Sequence, residues 1–267
     1  MKPGSTIIPS DSGPETKFRQ PVRKSRLDLL LVDRQLASSR DKARQLILSG
    51  SVYVDGQKVE KAGTLIGDSR IEVRERENPY VSRGGLKLAH ALRAFGLRPE
   101  QKVILDAGAS TGGFTDCLLQ NGAARVYAVD VGYGQLAWKL FNHPAVIRIE
   151  RTNVRYLDPK AVPERVDWVV ADLSFISVTL VLGHLLNFMK EEGEIVILIK
   201  PQFEVGREEV GRGGIVRQEA LRQAAIEKVE ACGAALGLLK GGLTESPITG
   251  QKGNREYLIH FLRRTGK

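Results

Sequence analysis

The sequence predicts an α/β protein with two folded parts, and three observations carry that expectation. Val103 to Asp130, VILDAGASTGGFTDCLLQNGAARVYAVD, reads as strand, glycine-rich turn, helix and strand. Further apolar runs at Val146 to Glu150, Val166 to Ala171 and Ile195 to Ile199 alternate with helical patterns, the rhythm of a parallel sheet. Ahead of them, residues 25–77 hold two short helices and a hairpin in a small α+β unit. Gly237 to Ser246 and Glu256 to Leu262 read as a closing pair of strands. The large part is then a Rossmann-like, seven-stranded sheet, mostly parallel with an antiparallel edge hairpin.

Composition is compatible with this. A chain of 267 residues with 42% hydrophobic and 27% charged residues can bury a sizeable core. The net charge of +9 calls for an anionic partner, and the surplus is spread over residues 1–78 and 79–267 alike. Cys117 and Cys232 lie in apolar helical contexts and read as free thiols of a reducing compartment. The four histidines are scattered and no cysteine–histidine spacing fits a metal site. No apolar run reaches the roughly 18 residues that span a bilayer. The polar, Pro- and Ser-rich residues 1–24 read as a disordered tail with no export signal, so a cytoplasmic location is expected.

In the small unit, Leu27, Leu30 and Leu31 repeat at helical spacing from Arg26 to Gln35. A second helix follows Ser38-Ser39, carries Ala43, Leu46 and Ile47 on one face, and stops at Gly50. Val52-Tyr53-Val54 and Gln57-Lys58-Val59 flank Asp55-Gly56, a tight hairpin turn, and Ile71 to Val73 is a third strand. Arg40 and Arg44 stand one turn apart with Lys42 between, a spacing that can follow a phosphate backbone or simply face solvent. The patterns S-R-x-x-A-x-x-L-I and G-x-V-x-V-D-G within RLDLLLVDRQLASSRDKARQLILSGSVYVDGQKV resemble the S4 RNA-binding domain. That resemblance implies that Arg26, Arg40, Lys42, Arg44 and Lys58 face structured RNA. Residues 78–84 are the expected linker, with Pro79 breaking local helix. A helix through Lys87, Leu88, Ala91, Leu92 and Phe95 follows, and residues 85–267 form the large domain.

Ligands of an open parallel sheet bind at the carboxyl ends of its strands. Three readings compete for the turn after Leu105. A phosphate-gripping loop needs a Lys-Ser/Thr that does not follow Gly113. A dinucleotide turn needs G-x-G-x-x-G, whereas the order here is G-x-x-x-G-G after an acid, Asp106. A carboxylate there suits a cationic ligand, and S-adenosyl-L-methionine carries an ammonium and a sulfonium. Asp130, ending the next strand, can accept from both hydroxyls of an adenosine ribose. The methyl-donor reading fits best, with Asp106, Gly108, Ser110, Gly112, Gly113, Phe114 and Asp130 around the cofactor and an adenine contact near Asn153. The dinucleotide reading and a glycine turn that only packs helix on strand stay as alternatives.

Asp172 and Lys200 end consecutive strands, so the two can meet over the reacting methyl. A helix from Val178 to Met189 lies between those strands, and Glu204 to Arg217 reads as a glycine- and charge-rich loop near the site. A helix from Gln135 to Leu140 precedes the third strand and a long one from Gln218 to Leu236 the closing pair. With the S4-like unit, the motifs YVSRGGLKL, DAGASTGGFTD, ADLSFIS and IKPQFE over residues 25–264 resemble the TlyA family. These are ribosomal RNA 2′-O-methyltransferases, often labelled haemolysin A, with a catalytic domain of the FtsJ/RrmJ type. The resemblance implies a Lys-Asp-Lys-Glu set at Lys87, Asp172, Lys200 and Glu256, with Asp172 also beside the cofactor. It further implies that Lys200 acts on a ribose 2′-hydroxyl, oriented by Asp172. Tyr80 stands where some members carry tryptophan. The expected partner is ribosomal RNA or a ribosomal subunit, with cytidine as target. A non-catalytic RNA-binding assembly factor and a membrane-active cytolysin are the rival classes. The sequence leaves the oligomeric state open.

Overall fold

The computed structural model describes residues 24–48, 50–73, 78–250 and 252–263. The expected tail, residues 1–24, lies outside them apart from Lys24, as do residues 74–77 at the end of the small unit and Gln251 of the closing turn. The chain divides into two compact units between Glu77 and Asn78.

In the first unit, β1 (Ser25–Arg26) leads into α1 (Leu27–Asp33), followed by α2 (Arg40–Leu48). Strands β2 (Val52–Val54), β3 (Gln57–Lys58), β4 (Leu65–Ile66) and β5 (Ile71–Val73) complete it. A sheet in the order β3-β2-β5 and a separate antiparallel pair, β1 with β4, enclose a core of Leu27, Leu31, Ala43, Ile47, Val52 and Ile71. The Asp55-Gly56 turn has both residues at positive φ, 48° and 80°, as the hairpin requires. The β1–β4 pair is absent from the sequence reading, because two-residue strands have no periodicity to see.

In the second unit, α3 (Gly84–Phe95) precedes β6 (Val103–Ala107), α4 (Gly113–Gln120), β7 (Arg125–Val129), α5 (Trp138–Phe141) and β8 (Val146–Ile149). Then come β9 (Val166–Ala171), α6 (Leu182–Leu185), β10 (Met189–Ile199), α7 (Pro201–Glu204), α8 (Glu219–Ala235), β11 (Leu238–Glu245) and β12 (Tyr257–Arg263). The seven strands lie in the order β11-β12-β10-β9-β6-β7-β8. Strands β8, β7, β6, β9 and β10 run parallel, and β12 and β11 add the antiparallel edge. The strand order reverses between β6 and β9, which opens a crevice at their carboxyl ends. One core packs α6 and α8 on one face of the sheet, the other packs α3 and α4 on the opposite face. Within residues 78–84, the Val81 amide donates to Asp116 Oδ2 at 2.8 Å and Tyr80 packs on the α3–α4 core, so this segment is fastened to the second unit.

Three expected elements differ in form. The helix read from Gln135 to Leu140 is a single turn starting at Trp138, since Ala137 is extended at φ −57° and ψ 141°. The helix read from Val178 to Met189 is a 3-10 turn, α6 and a second 3-10 turn. Its β-branched start, Val178-Thr179, and Val181 resist continuous helix, while core burial keeps the segment in place. Strand β10 begins six residues before Ile195, with its register broken between Met189 and Glu194.

Candidate active site

Asp106 is wholly buried in β6, and its Oδ2 accepts a 2.6 Å hydrogen bond from Thr115 Oγ1 on α4. Its Oδ1 has no hydrogen-bond partner among the described residues. Burial pushes this carboxyl up to about 7; the Thr115 bond opposes the shift, and nearby Asp172 adds to it. A buried acceptor without a donor is the kind of group that a bound ammonium satisfies. Gly108 follows at φ 89°, and a Cβ there would stand 2.5 Å from the Asp172 carbonyl oxygen, so the close approach of β6 to β9 needs glycine. Gly113 opens α4 against Ser82 and Gly85, where a Cβ would lie 2.2 Å from Ser82 Oγ. Gly112 sits at φ 97°.

Asp130 ends the next strand and receives the Ser110 amide at 2.8 Å and the Gly132 amide at 2.7 Å. These bonds fix the carboxylate at the wall of a crevice also lined by Ala109, Gln135 and Glu150. The Asn153 side chain accepts from the Arg155 amide and caps a short turn. The Phe114 side chain is buried in the α3–α4 core, so only its backbone borders the turn. Asp106, Gly108, Ser110, Gly112, Gly113 and Asp130 thus share one end of the sheet, and the residues fit a cationic, ribose-bearing cofactor.

Two charged pairs stand at the ends of β9, β10 and β12. Lys200 Nζ lies 2.6 Å from Asp172 Oδ1 and donates to Ser174 Oγ at 2.8 Å. The contact with Asp172 is an ion pair without hydrogen-bond angles, and Oδ1 keeps its acceptor capacity. Lys87, one turn into α3, donates to Glu256 Oε2 at 2.5 Å, and both side chains are buried. Ile199 pairs with Tyr257, which sets Glu256 beside Lys200 in the antiparallel register. The four residues therefore gather at one edge of the crevice, although they lie up to 169 positions apart in sequence.

Sequence reasoning missed several residues here. Phe175 is 91% exposed in the left-handed conformation, φ 66°, with its ring 5.3 Å from that of Phe203. Glu204 is buried and accepts from Ser177 Oγ at 2.5 Å and from the Val178 amide at 2.8 Å. It ties the loop after β9 to the helix after β10, and desolvation raises its carboxyl above the usual range. Asn254 joins the loop after α7 to the turn before β12 by accepting from the Val216 amide and donating to the Gly214 carbonyl. The motif ADLSF contains Phe175, but only its exposure and backbone conformation set it apart from a core aromatic.

In the first unit, Arg26, Arg40 and Arg44 all reach Asp28. Lys58 instead pairs with Glu60 at 2.7 Å, and Lys42 lies exposed on α2.

Residues 80–263 match the model of the FtsJ-like methyltransferase family, and residues 25–69 match the S4 domain. The 16S/23S rRNA (cytidine-2′-O)-methyltransferase TlyA of Mycobacterium tuberculosis is 47% identical over 248 residues, 92% of each chain. Hemolysin A of Brachyspira hyodysenteriae is 43% identical over 89% of this chain and 99% of its own. A solved structure from Streptococcus thermophilus, provisionally named a hemolysin, superposes with a TM-score of 0.73 at 40% identity, covering 92% of this chain and 90% of that one.

Proposed function

The chain belongs to the FtsJ-like methyltransferase family, and from that premise we propose that it methylates the 2′-hydroxyl of a cytidine ribose in ribosomal RNA. S-adenosyl-L-methionine would supply an electrophilic methyl group. The observation that carries the proposal is the Lys200–Asp172 ion pair beside the buried Lys87–Glu256 pair, at the strand ends that also hold Asp106 and Asp130. The cytidine and the ribosomal substrate rest on the likeness to the Mycobacterium tuberculosis enzyme.

Each residue has a task that its surroundings support. Asp106 Oδ1 would receive the cofactor ammonium, and Asp130 the ribose hydroxyls. Lys200 has three donors, one of them on Ser174, so it can also donate to the incoming 2′-oxygen and hold it in line. As that oxygen takes the methyl and gives its proton to solvent water, with the cofactor's sulfur leaving as a neutral thioether, the Lys200 ammonium would stabilise the developing negative charge. Asp172 fixes the lysine, and Lys87 with Glu256 shapes the floor on which the ribose rests. Phe175 offers an exposed aromatic face at this edge, on which an unstacked base can lie. The first unit supplies arginines for the RNA backbone. The enzyme then works where rRNA is made and assembled, in the cytoplasm; among the described residues no helix is long and apolar enough to cross a membrane.

Lys200→Ala is the direct test. Methyl transfer to rRNA, followed with a labelled cofactor, should fall by about 10²–10³-fold in kcat, the loss typical of removing one donor to a developing oxyanion. Calorimetry should show nearly unchanged affinity for S-adenosyl-L-methionine. Retained turnover would remove Lys200 from the mechanism, and absence of cofactor binding by the unmodified protein would overturn the methyltransferase reading.

A further inference from the structure

Asp28 has no role in the function derived above, yet it meets three arginines of the first unit. It lies on α1 and is 0% exposed. Arg26, just before α1, grips it side-on, with Nε 3.0 Å from Oδ1 and Nη2 3.1 Å from Oδ2. Arg40, the first residue of α2, places Nε 3.0 Å from Oδ2, and Arg44, one turn later, places Nε 3.5 Å from the same oxygen. The three arginine side chains remain 42%, 48% and 46% exposed. One buried negative charge therefore seats three half-exposed arginine side chains through their Nε atoms, and Arg26 through Nη2 as well.

Arginine side chains lose considerable rotamer freedom when fixed, and three like charges brought together repel. A buried carboxylate offsets both costs before any ligand arrives, and leaves the cluster with a surplus of positive charge facing outward. The geometry points to Asp28 as a positioning residue, which gathers Arg26, Arg40 and Arg44 into one preformed subsite for a phosphate group of the RNA backbone. This rests on the reading of the first unit as RNA-binding.

Charge counting alone predicts the opposite sign. Asp28→Asn makes the protein more positive by one, so an unspecific electrostatic surface would bind RNA more tightly. Preorganisation predicts weaker binding, by about tenfold, and a log K against log salt slope shallower by about one phosphate contact. Asp41→Asn is the matched control: Asp41 is 90% exposed on α2, with its carboxylate 3.9 Å from Arg44 Nη1, and its removal makes the same charge change while leaving Asp28 and its contacts to the three arginines in place. Fluorescence anisotropy with transcribed ribosomal RNA across a salt series reads both variants. The expected result is weaker binding for Asp28→Asn and unchanged or tighter binding for Asp41→Asn. In methylation assays Asp28→Asn should raise KM for RNA at unchanged kcat. Binding by a folded Asp28→Asn protein equal to or tighter than that of the unmodified protein overturns the proposal. If circular dichroism shows that Asp28→Asn does not fold, Arg40→Lys takes its place. It keeps the charge but loses the Nε contact, so it should bind several-fold more weakly, and unaltered binding again overturns the proposal. Failure of the unmodified protein to bind RNA would sink the RNA reading itself.

Discussion

The two units handle buried charge in opposite ways. In the first, one buried acid serves three half-exposed arginines, so the surplus faces solvent. In the second, lysines and acids are matched one to one, Lys87 with Glu256 and Lys200 with Asp172, at a largely buried sheet end. Beside them lies Asp106, a wholly buried carboxylate with no cationic partner among the described residues and with Oδ1 open to a donor. The contrast teaches what each unit can receive. A surplus of exposed cations suits a polyanion met at the surface, whereas matched pairs beside a buried carboxylate with an open acceptor suit a single small cation held inside.

The contrast can be broken most forcefully at the Lys87–Glu256 pair. Lys87→Met strands Glu256 without a partner, and urea unfolding should show a loss of about 3–5 kcal/mol. Adding Glu256→Gln should restore most of that stability without restoring methyl transfer. A single variant that unfolds like the unmodified protein would mean that the pair is not balanced in the way described. Next in size is the double change Arg40→Ala with Arg44→Ala. RNA affinity should fall, and the salt slope should lose roughly 1.5–2 units, since about two phosphate contacts disappear. The melting temperature should fall by less than for Lys87→Met, because buried Asp28 loses two of its partners but keeps the two-nitrogen grip of Arg26. An unchanged slope would return these arginines to an ordinary solvated face.

The smallest effect sharpens the role of Asp106. With its carboxyl at about 7, the ionised fraction in the free protein rises from about one tenth at pH 6 to one half at pH 7. Affinity for S-adenosyl-L-methionine should therefore increase about fivefold over that interval, and calorimetry in two buffers should detect proton release on binding at pH 6. Asp106→Asn should flatten the dependence. Without cofactor the sign reverses. The folded state holds this proton more tightly than the unfolded chain, so the carboxyl's contribution to stability declines as pH rises from about 4 through about 7.

The sheet was legible in the sequence because its central strands are buried on both faces and read as unbroken apolar runs, as in Val166–Ala171. The start of β10 was not, since Lys190, Glu191 and Glu192 are exposed and carry no strand pattern. Within the site, Asp172 and Lys200 could be found from strand ends alone. Lys87 and Glu256 came only through family resemblance, because a lysine in an amphipathic helix and a glutamate at a strand start look like surface residues. Asp28 was invisible as a hub: its partners lie up to 16 positions away, and burial of an acid leaves no mark on periodicity.

The Lys87–Glu256 pair also orders events during synthesis. Lys87 leaves the ribosome early, on the first helix of its unit, and Glu256 emerges 169 residues later, just ahead of β12. Domains generally fold as units, N-terminal first, during synthesis. A nascent chain can thus hold a finished first unit while Lys87 still lacks its counter-charge. For that interval the first unit can be complete while the charged pair at the sheet end is not, and arrival of the closing strand completes it.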